Sequence, residues 1–495
     1  MRTNGVLMHI SSLPSPYGIG TLGQAAREFA DFLSKSGQGS WQMLPICPTG
    51  YGDSPYQSYS TFAGNPYFID LDQLAADGLL LPEEYRNVDW ESTPDRVNYG
   101  VLYEKRYPIL RKAALRLLAQ PNALFDTFCA ENGWWLDDYA LFMALKDAEN
   151  GHPSWEWAAP IRRREETALT AARETYAQQI AVWKVYQYLF FKQWRELKAY
   201  VNGLGIQIIG DLPIYVSRDS VDVWATPDLF QIDDNGDPTD VAGCPPDGFS
   251  ATGQLWGNPL YDWNRMAQDR YSWWMRRIEY LCNVYDILRI DHFRAFDEYY
   301  AIPFGSADAS PGCWKPGPGK DFFQVLKERL GELPIIAEDL GFVTDSVREL
   351  LHYSGCPGMK VLQFAFDSRD SGGPNYIPHN YPVHCVAYVG THDNDTAAGW
   401  MTSAAPEDVE EAVRYLCLNE KEGFHWGLMR GLWSSVAERT IVQAQDLLGL
   451  GSDTRMNTPS TMGTNWQWRS LPGVFDDALA QKLYRCMIRF ERIKK

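Results

Sequence analysis

Eight short runs of the chain are apolar almost without interruption, at 5–11, 41–46, 206–211, 287–291, 335–339, 360–364, 384–390 and 441–446. A strand with one face in water alternates apolar and polar residues, whereas a strand covered on both faces does not. The runs therefore predict strands of a parallel sheet. Helical spacing of apolar residues follows several of them, as with Ala26, Phe29, Ala30 and Leu33 within 25–36. Buried strands with intervening helices predict an α/β fold of the (β/α)8 TIM-barrel type. A doubly wound sheet is the alternative. It normally carries a glycine-rich phosphate turn after its first strand, where this chain has Ser11-Ser12-Leu13-Pro14.

Two gaps between strands are too long for plain barrel connections. Residues 72–205 read as a mainly helical insertion: Leu136, Tyr139, Ala140 and Met143 form one apolar stripe, and Tyr186, Leu189, Phe190 and Trp194 another. Residues 212–277 are rich in Asp, Pro, Gly and aromatics and read as an ordered loop region, of the kind that serves as a lid. The expectation is one catalytic barrel domain over 1–495 carrying both insertions, with no separate C-terminal β domain.

Charge narrows the partners. A formal net charge of -18 repels phosphate backbones and anionic lipid, so neither nucleic acid nor a membrane is expected. No run reaches the ~18 apolar residues of a membrane span. The nine cysteines are scattered, with no CxxC pair, which argues against a disulfide framework and a cysteine zinc site. Residues 1–14 hold no apolar stretch long enough for a signal peptide, so a cytoplasmic location is expected. The 19 Trp and 27 Tyr suit stacking on sugar faces, but they also suit a core, and composition does not separate the two.

Four carboxylates stand at or just past the ends of predicted strands: Asp211, Asp291, Glu338 and Asp393. In a barrel this end of the strands carries the chemistry. Each could instead cap the following helix, and Arg289 with Asp291 could be a structural ion pair. Cleavage of a glycosidic bond needs a carboxylate to attack the anomeric carbon and a second carboxyl to protonate the leaving oxygen. Arg289 and Asp291 alternate along one strand and so point to the same side, where the guanidinium would keep Asp291 ionised. Glu338, approached through Ile335-Ile336-Ala337 and near an anionic Asp291, is expected to have a raised pKa and to serve as the acid.

The segments Arg289-Ile290-Asp291-His292-Phe293, Ile336-Ala337-Glu338-Asp339-Leu340 and Thr391-His392-Asp393-Asn394-Asp395-Thr396 resemble the catalytic segments of the 4-alpha-glucanotransferases. These amylomaltases, or disproportionating enzymes, form glycoside hydrolase family 77 of the alpha-amylase clan. Further matches run almost end to end, among them Ser54-Pro55-Tyr56-Gln57-Ser58, Gly210-Asp211-Leu212-Pro213, Gly253-Gln254-Leu255-Trp256-Gly257, Arg455-Met456-Asn457-Thr458-Pro459 and Asn465-Trp466-Gln467-Trp468-Arg469. The resemblance implies Asp291 as nucleophile, Glu338 as general acid/base and Asp393 as the residue that grips the distorted ring. It implies substrate contacts from Ser54, Tyr56, Asp211, Phe249, Trp256, Arg289, His292, His392, Asn457 and Asn465, with Tyr56 as a stacking platform. It implies alpha-1,4-glucans and maltooligosaccharides as donor and acceptor, and no metal or cofactor.

Two positions depart from the family pattern. Gly248 stands where some members carry an aromatic residue, and Ser460 follows Pro459 where Gly is expected, so the backbone near Asn457 is expected to differ. Transfer rather than hydrolysis requires an aligned acceptor and a cover against water, which the segment 242–256 is placed to supply.

Overall fold

The computed structural model describes the chain except for residues 1, 51, 234, 247–249, 370–371 and 494–495. Twelve strands are formed by the described residues. In chain order they are β1 (Thr3–Leu7), β2 (Ser40–Gln42), β3 (Gln207–Leu212), β4 (Asp240–Cys244), β5 (Gln254–Pro259), β6 (Ile287–Ile290), β7 (Glu298–Pro303), β8 (Cys313–Pro316), β9 (Ile335–Ala337), β10 (Gly358–Val361), β11 (Cys385–Tyr388) and β12 (Arg439–Gln443). Eight of them form a parallel sheet in the order β10-β11-β12-β1-β2-β3-β6-β9. These correspond one for one to the eight apolar runs, and the arrangement is the expected TIM barrel rather than a doubly wound sheet. Their residues are almost all buried because helices cover the outside and side chains fill the inside.

The ladder is not continued between β9 and β10; other hydrogen bonds close this seam. Ala337 N donates to Pro357 O at 3.0 Å, and Met359 N donates to Asp339 Oδ1 at 2.6 Å. Asp339 is 7% exposed and occupies the space beside Gly358, where any Cβ would lie 2.6 Å from its Oδ1. The glycine is therefore required by the carboxylate that shuts the barrel.

Strand ends differ from the sequence expectation. Residues 43–46 leave the sheet, Leu362–Phe366 is a 3₁₀ turn, and Ala444–Leu448 is helical. Apolar character persists past each strand because these segments also face the core, and period alone does not locate where pairing stops.

Residues 72–205 are helical, as expected, with long helices at Tyr99–Leu118, Ala123–Ala148 and Ala177–Gly203. Both apolar stripes are buried. Two buried glutamines of Ala177–Gly203 fasten this insertion to the loop after β2. Gln187 accepts from Gly64 N at 2.7 Å and donates to Gly64 O at 2.9 Å, and Gln193 does the same for Asp70 at 2.7 and 3.1 Å. Each amide thus satisfies a donor and an acceptor of buried backbone at once.

The reading of 212–277 as loop needs correction. β4 and β5 form an antiparallel hairpin within a four-stranded sheet, order β5-β4-β7-β8, and helices occupy Trp263–Gln268 and Ser272–Val284. The partner strand β7 lies beyond β6, and Gly257, Asn258 and Pro259 give β5 the composition of a turn, so pairing across this distance left no local signal.

Asp339→Ala removes the seam's acceptor and strands a buried N–H. Urea unfolding is expected to show a loss of about 1–3 kcal/mol, with Asp339→Asn closer to the parent; equal stability of all three proteins would remove the carboxylate from the closure of the barrel.

Candidate active site

Asp211 and Arg289 are opposite one another in the β3–β6 ladder, and both point into the barrel. Arg289 Nη1 lies 2.6 Å from each oxygen of Asp211 and 3.3 Å from Asp291 Oδ1, while its Nη2 lies 2.5 Å from Glu338 Oε2. One guanidinium therefore joins three of the four carboxylates singled out in the sequence. The capping alternative does not hold for these groups, since the helices that follow are capped by other residues, such as Thr344 and Thr396.

Exposure divides the cluster. The side chains of Arg289 and Asp211 are 2% and 0% exposed, while those of Asp291, Glu338 and Asp393 are 24%, 16% and 42% exposed. The last three can meet a ligand. Asp211, expected among the substrate contacts, instead sits behind Arg289 and accepts a hydrogen bond from Tyr56 Oη at 2.7 Å. A carboxylate with no accessible surface acts on a sugar only through its neighbours.

Backbone geometry holds the pair Asp291 and Glu338 in register. Glu338 N donates to Ile290 O and Phe293 N donates to Glu338 O, both at 3.0 Å, extending the β6–β9 pairing past the strand ends. Between them His292 adopts φ +45°, a left-handed conformation that costs a non-glycine residue about 1 kcal/mol or more. Its N–H donates to Glu338 Oε2 at 3.1 Å, and its ring stands edge-on to Trp256 at 4.9 Å. Trp256 lies on β5, so the hairpin brings an aromatic ring against His292, the neighbour of Asp291. Gln57 Nε2 ties that hairpin to the loop of Tyr56 through Trp256 O at 3.4 Å and Asn258 Oδ1 at 3.0 Å.

The two carboxyls hydrogen-bond each other, and burial with mutual repulsion makes them hold a proton. Its placement reverses the sequence expectation. Burial and the charge of Glu338 push Asp291 well above the usual carboxylate range, whereas Glu338 is lowered: its burial alone would raise it, but Arg289, the hydrogen bond with Asp291 and the contacts with His292 together outweigh that penalty. The reason is geometric: Glu338 receives two close donors, Arg289 Nη2 and His292 N, and Asp291 receives one at 3.3 Å. Adjacency along β6 told where Arg289 points but not which carboxylate lies nearer.

Asp393 forms a second group. Asn457 Nδ2 donates to its Oδ1 at 2.6 Å, His392 Nε2 lies 3.3 Å from its Oδ2, and Arg455 Nη2 donates to its carbonyl. The His392 ring stacks on Tyr56 at 5.3 Å with a 12° tilt, which links this group to the Asp211 side. Ser460 takes φ +63°, the left-handed backbone that glycine favours, and Asn457 still reaches Asp393. The serine therefore carries local backbone strain at a position suited to glycine.

Other expected contacts also hydrogen-bond within their own loops. Ser54 Oγ accepts from Tyr56 N at 3.2 Å and shapes the loop. Asn465 accepts from Thr458 N at 3.0 Å and donates to Thr461 O at 2.9 Å, bracing the 458–465 turn. Phe249 and Gly248 lie outside the described residues. Trp466, next to Asn465, was not selected from the sequence; at φ +66° it sets its ring 5.8 Å from Tyr56 and 6.0 Å from His392. Its position inside a matched motif was the available signal. Among the described residues, no group of three or more His, Cys, Asp or Glu side chains is arranged to hold a metal ion.

The family model for 4-alpha-glucanotransferases, glycoside hydrolase family 77, matches residues 8–472. The chain belongs to the 4-alpha-glucanotransferase family. The enzyme is 48% identical to the 4-alpha-glucanotransferase of Clostridium butyricum over 481 residues, 97% of this chain and 98% of that one. It is also 48% identical to that of Thermus thermophilus over 483 residues, 95% of each chain. Its fold matches the amylomaltase from Streptococcus agalactiae in complex with acarbose with a TM-score of 0.97, at 42% identity over the whole of both chains.

His292 gives the enzyme a pH signature. Burial lowers its pKa to about 4, whereas an unfolded histidine protonates near 6.5. The unfolded state therefore binds the proton first on acidification, so this residue's contribution is intact at pH 7 and declines from about 6.5 to about 4. His292→Gln is expected to flatten the fall of Tm across that window, measured against the parent; parallel curves would place the titration elsewhere.

Proposed function

We propose that the enzyme transfers a segment of an alpha-1,4-glucan to the 4-hydroxyl of another glucan or of glucose by retaining double displacement. The observation that carries this is the contact between Asp291 and Glu338 under a shared Arg289, since an inverting pair stands about 6.5–9.5 Å apart to admit a water.

In this scheme the Asp291 carboxylate forms a bond to the anomeric carbon as the glycosidic bond breaks, and Glu338 gives its proton to the departing oxygen. Glu338, now a carboxylate, takes the proton of the acceptor 4-hydroxyl, whose oxygen displaces Asp291 with a second inversion. The two steps together retain configuration. Since Asp291 holds the proton while the two carboxyls touch, a sugar wedged between them has to move that proton to Glu338 before attack. Asp393, steadied by Asn457 and His392, grips the ring, and Tyr56 supports it from the His392 side. The ring of Trp256 over His292 supports a site from which water is kept away.

The substrate class is glucan. No helix among the described residues is long and apolar enough to cross a membrane. We infer a cytoplasmic location from nine cysteines scattered along the chain without a CxxC pair.

Maltotriose is the deciding substrate. Transfer gives glucose and a ladder of longer chains with no net gain in reducing ends; a steady rise in reducing ends would make the enzyme a hydrolase. Asp291→Asn and Glu338→Gln are each expected to lower kcat by about three orders of magnitude or more with the fold retained by circular dichroism. Near-parental turnover in either would refute its role. Full activity is expected after dialysis against a chelator, and loss restored by a divalent cation would show that the scheme lacks a component.

A further inference from the structure

At the rim of β1 and β12, beside His392, the barrel wall surrounds a cavity of about 10 Å³. It is lined by His9, Gln443, His392, Met456, Ser12 and Leu44 with a few neighbours, and has room for a single water. Gln443 is the last residue of β12 and is paired with Leu7 of β1, so its side chain and His9 arrive from adjacent strand ends. His9 is 6% exposed and Gln443 1%. His9 Nδ1 and Gln443 Nε2 are each buried without a hydrogen-bond partner. Two orphaned polar atoms on the wall of a water-sized space are costly unless something joins them.

The chemistry of the three nitrogens is complementary. The His9 ring is fixed edge-on to Phe68 at 5.3 Å, and burial followed by the proximity of His392 holds its pKa down at about 3, so it is neutral. Gln443 Nε2 is only a donor. His392 Nε2 faces the Asp393 carboxylate at 3.3 Å, which favours a proton on Nε2 and leaves a lone pair on Nδ1. The opposite tautomer would set a lone pair against the carboxylate.

We propose that this cavity binds one ordered water, which accepts from Gln443 Nε2 and donates to His9 Nδ1 and His392 Nδ1. His9 and Gln443 are thereby positioning residues: they fix the His392 tautomer that donates to Asp393. A water has two O–H groups and a lone pair for this purpose, so no donor is left facing a donor. The benefit to turnover rests on the reading of Asp393 as the residue that grips the ring, while the water and the tautomer do not.

The test therefore reads them separately. A crystal structure of the full enzyme at about 1.6 Å or better, where ordered waters are visible, is expected to show one water in the cavity within hydrogen-bond reach of all three nitrogens. A dry cavity overturns the proposal, whether or not any variant folds. In protein labelled with ¹⁵N-histidine, His392 is expected as a single Nε2–H tautomer, and Gln443→Met or His9→Phe should give mixed or exchanging signals, with His9→Asn restoring part of the effect. Unchanged His392 signals in folded Gln443→Met overturn the proposal. On maltotriose the same variants should lose about tenfold in kcat with KM changed less than about twofold. Full turnover alongside a disturbed tautomer would retain the water and refute instead the part given to His392 and Asp393.

Discussion

A single buried guanidinium organises the mouth of this barrel. Arg289 touches Asp211, Asp291 and Glu338, and the last two stand just past the ends of two neighbouring strands, 47 residues apart in the chain. Removing an arginine from water costs several kcal/mol. Here Asp211 alone, with both oxygens on Nη1, cancels that charge before the other two carboxyls are counted. What remains is an excess of negative charge, and the pair Asp291–Glu338 relieves it by keeping a proton. The protonation of the pair is thus a consequence of one charge balance, and Asp211, whose side chain is fully buried, is as necessary to it as the more exposed Asp291 and Glu338.

The loops that complete the site depend on structure far from it. Tyr56 is carried by a segment with little regular structure, yet its position is fixed. Gln187 and Gln193 hold the following residues from the helical insertion, Gln57 holds the β4–β5 hairpin, and the Tyr56 hydroxyl ends on Asp211. Strain appears where these supports converge. His292 and Trp466 are both bulky residues at positive φ, and both place a ring against another aromatic of the site. Such conformations persist only where the surroundings impose them.

These features explain how far the sequence could be read. Barrel strands announce themselves because burial on both faces leaves an apolar run, and all eight runs found their strands. Carboxylates at strand ends were equally visible, and their convergence followed from the barrel once the strands were in order. Pairing that depends on distant partners was not: β5, with Gly257, Asn258 and Pro259, has no strand-like composition until β4 and β7 flank it. Motif matching identified residues near the site but not what they touch. Ser54, Asp211 and Asn465 sit within matched segments and brace the backbone or Arg289, while Trp466, one residue from Asn465, carries the ring that meets Tyr56 and His392.

Proton placement shows the same limit at atomic scale and bears on how the site is switched on. Alternation on β6 puts Arg289 and Asp291 on one side, which suggests an ion pair. Yet the guanidinium has two ends: Nη1 is occupied by Asp211 and touches Asp291 only at 3.3 Å, while Nη2 is free to bind Glu338 at 2.5 Å with His292 N beside it. Glu338 takes the better donors, and the proton stays with Asp291. In the proposed cycle this means the nucleophile is protonated, and so inert, while the two carboxyls are in contact. A sugar that enters between them breaks their mutual hydrogen bond and offers Glu338 a glycosidic oxygen to protonate. Asp291 then loses the repulsion of Glu338, which adds to burial in raising its pKa, and Arg289 Nη1 is the donor left to it. Substrate would thereby create both the acid and the nucleophile by moving one proton a short distance.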